Sequence, residues 1–424
     1  MIKVGIIVNV SKENFLEAWF PRGLVRNGND VLSAQVSVEG LCPLRIAWDK
    51  GKIISIQVIE SKSALPSKFL LPRLVEPHSH IDKAFTWNKF PNLKATYEGA
   101  LEVNLEEYKV RTVEDVRSRS ERALNIALRS GLRAIRTHVD SFGLSGHQNL
   151  ETLLELKREW ESFIHLQCVA LVPLEYWDTG EGRLLASRVA SAGGLLGGVI
   201  APPFDNNESF LNLLKLVQLA SQLNCGIDLH IDESDRYPGY GIKKLIQVLR
   251  HTDVRVPITC SHSSSMGLLR PGELCRLADQ ISHYGVNVIA LPLTNSWLLG
   301  RYSNKTPITR PIAPIRQLQK AGVIVAVGGD NVQDPWFPLG RLDPIELISL
   351  SMPITQLAPW YRLGLAPFTT SAAAVMGMQW DGTIGVGSPA DFVVIDASSW
   401  TEALTTKTKR QILLSGKWLE KNEF

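Results

Sequence analysis

Four segments of the chain carry residue types and spacings that suit a hydrolytic metal site. In Val75-Glu76-Pro77-His78-Ser79-His80-Ile81-Asp82-Lys83, two histidines are separated by one residue. An extended strand sends alternate side chains to one face, so both imidazoles can reach a single ion. His230-Ile231-Asp232-Glu233 sets a histidine three residues before a carboxylate. Thr259-Cys260-Ser261-His262-Ser263 and Val327-Gly328-Gly329-Asp330-Asn331 add a histidine and an aspartate. A hydrolytic site needs three or four protein ligands and a position left for water. His78, His80, His230 and Asp330 offer three neutral nitrogens and one carboxylate, which suits either zinc or iron.

Beside the ligands stand groups that could move protons or hold a substrate. Glu233, just past a strand end, could pass a proton from water to a substrate nitrogen; otherwise it is a loop carboxylate or a helix cap. His262 would polarise the attacked centre or hold the attacking water, or else serve as a hydrogen-bonded core histidine. Asp330 would accept the water's proton, although Gly-Gly-Asp-Asn also reads as a turn. Lys83 could meet a substrate carbonyl, or be a surface or salt-bridged lysine. Trp336, and similarly Trp297, could stack on a flat heterocycle or simply pack a loop. His138 and Asp140, in Arg136-Thr137-His138-Val139-Asp140, would orient ligands or satisfy backbone at a rim.

The elements that must position these groups alternate strand and helix through the middle of the chain. Buried strands are expected at 68–76, 132–139, 164–172, 195–201, 225–231, 256–262, 286–291 and 323–329, with helical patterns between them, as at 113–129 and 210–223. Eight βα units predict a (β/α)8 TIM barrel, whose chemistry sits at the C-terminal ends of its strands. Five of the nine histidines, at 78, 80, 138, 230 and 262, fall at such ends. A binuclear site would need a bridging group from strand four. The segment Leu166-Gln167-Cys168-Val169-Ala170-Leu171-Val172-Pro173, read in that place, has no lysine, so one divalent ion per subunit is expected.

Both ends of the chain read differently. Period-two runs at 31–38, 44–48 and 53–56, the last two split by Asp49-Lys50-Gly51-Lys52, predict a hairpin. A strand at 390–396 and a hairpin over 410–419, turning at Ser415-Gly416, mirror them. One small β-sandwich domain built from both termini, residues 1–66 with 380–424, would then flank a barrel of residues 67–379.

Composition narrows the partners. Lys and Arg total 45 against 42 Asp and Glu, without a long basic block, which disfavours nucleic acid and anionic membrane. A small-molecule substrate fits this balance. Five scattered cysteines, mostly in apolar runs, read as reduced thiols of a cytoplasmic protein, and the N-terminal apolar run is too short for a secretory core. A homo-oligomer is left open.

These residues resemble the amidohydrolase superfamily, and within it the cytosine deaminase group and its triazine-processing relatives. The carrying segments are Glu76–Lys83, Arg136–Asp140, Asp228–Glu233, Thr259–His262, Pro292-Leu293-Thr294-Asn295 through Gly300-Arg301, and Gly329–Gly340, in the family's order. The resemblance implies the terminal β-sandwich, one metal on His78, His80, His230 and Asp330, proton transfer by Glu233 and assistance by His262. It departs where cytosine deaminases carry a glutamine that reads the pyrimidine amide edge. Here the segment is Val169-Ala170-Leu171-Val172-Pro173-Leu174-Glu175-Tyr176. Losing such a partner can cost orders of magnitude in discrimination, so cytosine itself is not the expected substrate. Asn331 replaces the family's second aspartate and joins Lys83 and Trp336 as an expected substrate contact.

The expected activity is hydrolytic deamination of an amino-substituted N-heterocycle. Alternatives are release of an alkylamine from a triazine, opening of a cyclic amide, or a catalytically idle binding protein on the same scaffold.

Overall fold

The structure is a computed structural model that describes residues 14–26, 36–60, 64–202, 206–302, 304–405 and 409–420. Most of the expected run 31–38, and the N-terminal apolar run, lie outside the described residues. Strand β1 (Phe15–Pro21) pairs antiparallel with β2 (Leu41–Asp49), which pairs antiparallel with β3 (Lys52–Val58). The turn between β2 and β3 puts Lys50 and Gly51 at φ 46° and 76°, the left-handed pair that a two-residue hairpin requires. Strand β4 (Phe69–Pro72) lies parallel to β1, with Trp19 opposite Phe69.

Eight further strands run in parallel: β5 (Leu74–Ser79), β6 (Leu132–Asp140), β7 (His165–Leu171), β8 (Leu195–Ile200), β9 (Gly226–Ile231), β10 (Ile258–His262), β11 (Asn287–Ala290) and β12 (Val325–Val327). Each neighbours the next in chain order. The sheet closes where Ser79 bridges Asp330 in parallel and the Asp330 N–H meets the His78 carbonyl at 3.0 Å. This is the (β/α)8 barrel, with amphipathic helices between its strands. In the helix Val113–Ser130, Val116, Ala123 and Ala127 are fully buried, as the periodicity predicts.

Strands β13 (Phe392–Ile395), β14 (Arg410–Leu414) and β15 (Lys417–Trp418) return to the first sheet, giving the order β15-β14-β13-β4-β1-β2-β3. The turn at Ser415-Gly416, with φ 48° and 75°, falls where the sequence places it. The terminal β domain is thus realised as one continuous seven-stranded sheet fed by both ends of the chain.

Two expectations are corrected here. The single strand expected at 68–76 is two strands in two sheets, because the apolar run breaks at Pro72-Arg73. Pro72 lacks an N–H, and the Arg73 N–H turns to the Asp391 carbonyl at 3.1 Å. The segment read as strand four is β7, the third strand of the barrel. The fourth is β8, Leu-Leu-Gly-Gly-Val-Ile, which also carries no lysine.

Two compact units divide the chain. One comprises the described residues up to Val75, Ile126–Arg133 and those from Asp343 onward; the other comprises Glu76–Asn125 and Ala134–Leu342. The terminal unit therefore takes in β4 and the helix Pro344–Thr355, beyond the boundaries at 66 and 380 expected from the sequence. Every group of the expected site belongs to the second unit.

Candidate active site

His78 in β5 and His80 just beyond it project to the same side, with ring centroids 5.3 Å apart, while Ser79 between them donates to the Arg136 carbonyl at 3.0 Å. Strand closure brings Asp330 to them: its Oδ1 lies 3.4 Å from Nε2 of His78 and 3.4 Å from Nε2 of His80. His230, near the end of β9, places Nε2 3.2 Å from His80 Nε2. All four side chains are buried.

The approach of Asp330 depends on the residues before it. The Glu76 carboxylate accepts the Gly329 N–H at 3.0 Å and the His78 N–H at 3.1 Å, stitching β5 to the segment after β12. A Cβ at Gly328 would stand 2.9 Å from Glu76 Oε1, so only glycine lets this carboxylate in. Gly328-Gly329 is thus part of the barrel seam, and Asp330, at φ 66°, is held left-handed by it.

The donor set fits a divalent cation. His78 Nε2 and both Asp330 oxygens are buried with no hydrogen-bond partner, and buried polar atoms seldom go unpaired. His78 Nδ1 lies 2.9 Å from Ser261 Oγ, whose own proton goes to Asp228 Oδ1 at 2.7 Å. Ser261 must therefore accept from Nδ1–H, which leaves the Nε2 lone pair facing Asp330. Burial and the neighbouring imidazoles hold the His230 pKa well below its usual value. Burial alone would raise Asp330, but the His78 and His80 rings outweigh it and keep the carboxyl well below the carboxylate range. Neutral imidazole and ionised carboxylate are the ligating forms.

Asp228 is fixed in turn by Arg136 Nη1 at 2.6 Å, and His138 stacks beneath His78 with centroids 4.0 Å apart. His138 thus packs against the histidine cluster; neither ring nitrogen makes a hydrogen bond, and Nε2 lies 3.7 Å from Asp228 Oδ2.

Glu233 and His262 stand together on the next rim positions. Glu233 Oε1 lies 3.4 Å from His262 Nδ1, and Asn295 Nδ2 reaches both, at 3.4 Å and 3.1 Å. An amide nitrogen only donates, so His262 Nδ1 accepts and its buried, unpartnered Nε2 carries the proton. Burial, with Asp330 adding, raises the Glu233 carboxyl well above its usual value. Burial brings His262 down to about 3, so the ring is neutral at physiological pH. The backbone at His262 and Ser263 is left-handed, φ 68° and 51°, another strained pair at the strand ends. The helix-cap alternative for Glu233 falls to its neighbour: Asp232 accepts the Gly241 and Ile242 N–H groups at 2.8 and 3.1 Å, at the start of the helix Tyr240–Leu249.

Lys83 is buried and paired with Asp140, Nζ to Oδ1 at 2.7 Å. Asp140 Oδ2 takes Arg111 at 3.1 Å, and Arg111 also meets Asp82 at 3.4 Å and Glu107 at 2.5 Å. Burial would lower the lysine, but Asp140 and Asp82 outweigh it and its pKa is raised. Asn331 donates to Asp334 Oδ2 at 2.9 Å. Trp336 packs edge-on against Tyr97, centroids 5.1 Å, over the cluster of Ala100, Leu298 and Leu299 that Trp297 also joins.

Sequence reasoning gave no role to Asn295, Asp334 or the Ser261–Asp228–Arg136 relay, although all lie in the segments that carry the resemblance. The relay had a signal. Arg136 precedes His138, and Asp228 precedes His230, by two residues in a strand, so each charge shares the histidine's face.

Most of the chain is similar to known proteins. A family model described as amidohydrolase family matches residues 105–417. A pterin deaminase of Rhizobium rhizogenes is 30% identical over 365 residues, covering 85% of this chain and 83% of the relative. The chain belongs to the amidohydrolase family. This amidohydrolase is also 28% identical over 375 residues to the N-isopropylammelide isopropyl amidohydrolase of a Pseudomonas species, across 86% of the chain and 88% of the relative. The crystal structure of 5-methylcytosine deaminase from Klebsiella pneumoniae shares its fold, with a TM-score of 0.80 at 23% identity over 96% of this chain and 98% of that one. Membership makes it a metal-dependent hydrolase of carbon–nitrogen bonds other than peptide bonds.

Proposed function

We propose that this amidohydrolase removes ammonia from an amino-substituted pyrimidine ring, with a fused bicyclic ring of the pterin kind as its substrate. The observation that carries the reading is the juxtaposition of a raised Glu233 carboxyl, a neutral His262 and the His78–His80–His230–Asp330 set in one buried rim. The relative named a pterin deaminase supports the ring class. Among the described residues no helix is long and apolar enough to cross a membrane, and all five cysteines are free. A cytoplasmic setting and a small-molecule substrate belong to this reading, in line with the small heterocycles named for the relatives. A homo-oligomer is compatible with it.

His78, His80, His230 and Asp330 would hold one divalent ion, zinc or iron, which when bound supplies Lewis acidity and lowers the pKa of a water. Asp330 would take a proton from the attacking water as the water oxygen bonds to the ring carbon bearing the amine. Glu233 protonates the adjacent ring nitrogen, and His262 donates its Nε2 proton as a hydrogen bond to the oxygen. The carbon–nitrogen bond then breaks: the proton on Asp330 passes to the amine, which leaves as ammonia, and the hydroxyl proton returns to Glu233. Lys83, Asn331 and Trp336 bind and orient the ring.

A second reading, release of an alkylamine from a triazine, is favoured by the likeness to the isopropylammelide enzyme. Ammonia and amine release across pterins, aminopyrimidines, purines and triazines separates the two. Ammonia from a pterin supports the first reading, and alkylamine without ammonia overturns it.

A further inference from the structure

Asp334 is a buried carboxylate on which the loop after Asp330 is hung. Its side chain is fully enclosed. Oδ1 accepts the backbone N–H groups of Trp336 at 2.9 Å and Phe337 at 3.2 Å, while Oδ2 accepts Asn331 Nδ2 at 2.9 Å. The Asp334 N–H closes onto the Phe337 carbonyl at 3.3 Å. Three N–H donors thus converge on one carboxyl group. The Asn331 amide presents its amino end to Asp334, and its carbonyl is turned the other way. The same carboxyl fixes the backbone beneath the Trp336 indole, which meets Tyr97 at 5.1 Å. Tyr97 in turn lies within the field of Glu233, which adds to burial in raising its hydroxyl. One buried group therefore ties together a hydrogen-bonding amide, next to a metal-ligand position, and the backbone that carries the Trp336 indole.

We propose that Asp334 is a positioning residue for ring selectivity, holding the Asn331 amide to read the polar edge of the substrate and the Trp336 indole to cover its face. The inference rests on the deaminase reading and specifies which part of that site chooses among rings. Asp334→Asn tests it, because the new amide keeps an oxygen for the two backbone donors but sets an amino group against that of Asn331. The double exchange Asn331→Asp with Asp334→Asn restores a donor facing an acceptor, with the roles reversed.

Ammonia release by the wild type on the ring panel is measured first. If the wild type is inert, the deaminase reading fails, and Asp334 is judged by acrylamide quenching of Trp336 emission, taken as the difference from Trp336→Phe. Quenching that rises in Asp334→Asn and falls back in the double exchange is expected; unchanged quenching overturns the proposal. With an active wild type, Asp334→Asn should raise KM about tenfold and change the kcat/KM ratio between two rings, with a smaller effect on kcat. Metal content should stay close to wild type, and the two melting temperatures should agree at the acidic end of their pH range, which a merely structural role would not allow. The double exchange should recover most of the selectivity. Unchanged KM and ring preference in Asp334→Asn, or a double exchange no better than the single variant, overturns the proposal. Should Asp334→Asn fail to fold, Asn331→Ser leaves Asp334 in place and carries the same expectation and the same contrary result.

Discussion

Asn295 places its side-chain nitrogen 3.1 Å from His262 Nδ1 and so decides which nitrogen of that ring faces the reaction. Asn295 comes from the helix Pro292–Leu298 just after β11, and His262 ends β10, so adjacent strands of the barrel supply the pair. Asn295→Leu removes the donor while keeping approximate volume, freeing the proton to sit on Nδ1. The expected outcome is a fall of about 100-fold in kcat with unchanged metal content, measured by steady-state ammonia release and metal analysis.

Lys83 is held in place by a pair rather than by solvent. Lys83→Met leaves Asp140 with Arg111 alone and should cost about 3 kcal/mol of stability in a denaturant titration. Pairing the change with Asp140→Asn should recover part of that loss, since the uncompensated charge goes with the lysine. If Lys83 also touches substrate, KM stays raised in the double variant even as stability returns.

Removing the metal should uncover the unpaired groups of the rim. His78 Nε2 and both Asp330 oxygens have no hydrogen-bond partner in the protein, so a chelator should lower the melting temperature and abolish ammonia release together. Restoring zinc or ferrous iron to the treated protein, each in turn, should reverse both, and the metal giving the higher activity identifies the working ion.

Asp334 gives a pH dependence of known sign. Burial pushes its carboxyl from 3.8 up to about 7, so the folded protein keeps the proton where the unfolded chain has lost it. Its stabilising contribution is complete below the unfolded value and is lost as pH rises through the folded one. The melting temperature of the wild type, compared with that of Asp334→Asn, should therefore fall between about pH 4 and about pH 8. A constant difference across that range would contradict the shift.

Much of the site was legible because the barrel puts chemistry at strand ends. His78, His80, His230 and Asp330 announce themselves by residue type and by following apolar runs, and β-strand periodicity alone sends the first two to one face. Asn295 and Asp334 were not legible in the same way. An asparagine at the start of a helix and an aspartate before proline are ordinary punctuation in a sequence, and their importance comes from contacts across strands or along a loop. The break at Pro72-Arg73 was missed for a related reason: apart from Lys68, Arg73 and Glu76 the run 68–76 is apolar, and hydrophobicity does not report that Phe69–Pro72 pairs with β1 and β13 while Leu74–Ser79 pairs with β6. The strand numbering was displaced because 164–172, third among the expected strands, was read in the place of the fourth.

Glu233→Gln in the metal-loaded protein tests the central claim most directly, by ammonia release with metal content measured on the same sample. The amide retains the shape of the side chain and its contact with Asn295 but cannot shuttle a proton. Full metal occupancy with ammonia release reduced by about a thousandfold is expected. Activity within about tenfold of wild type, metal still bound, would remove Glu233 from proton transfer and with it the proposed deamination.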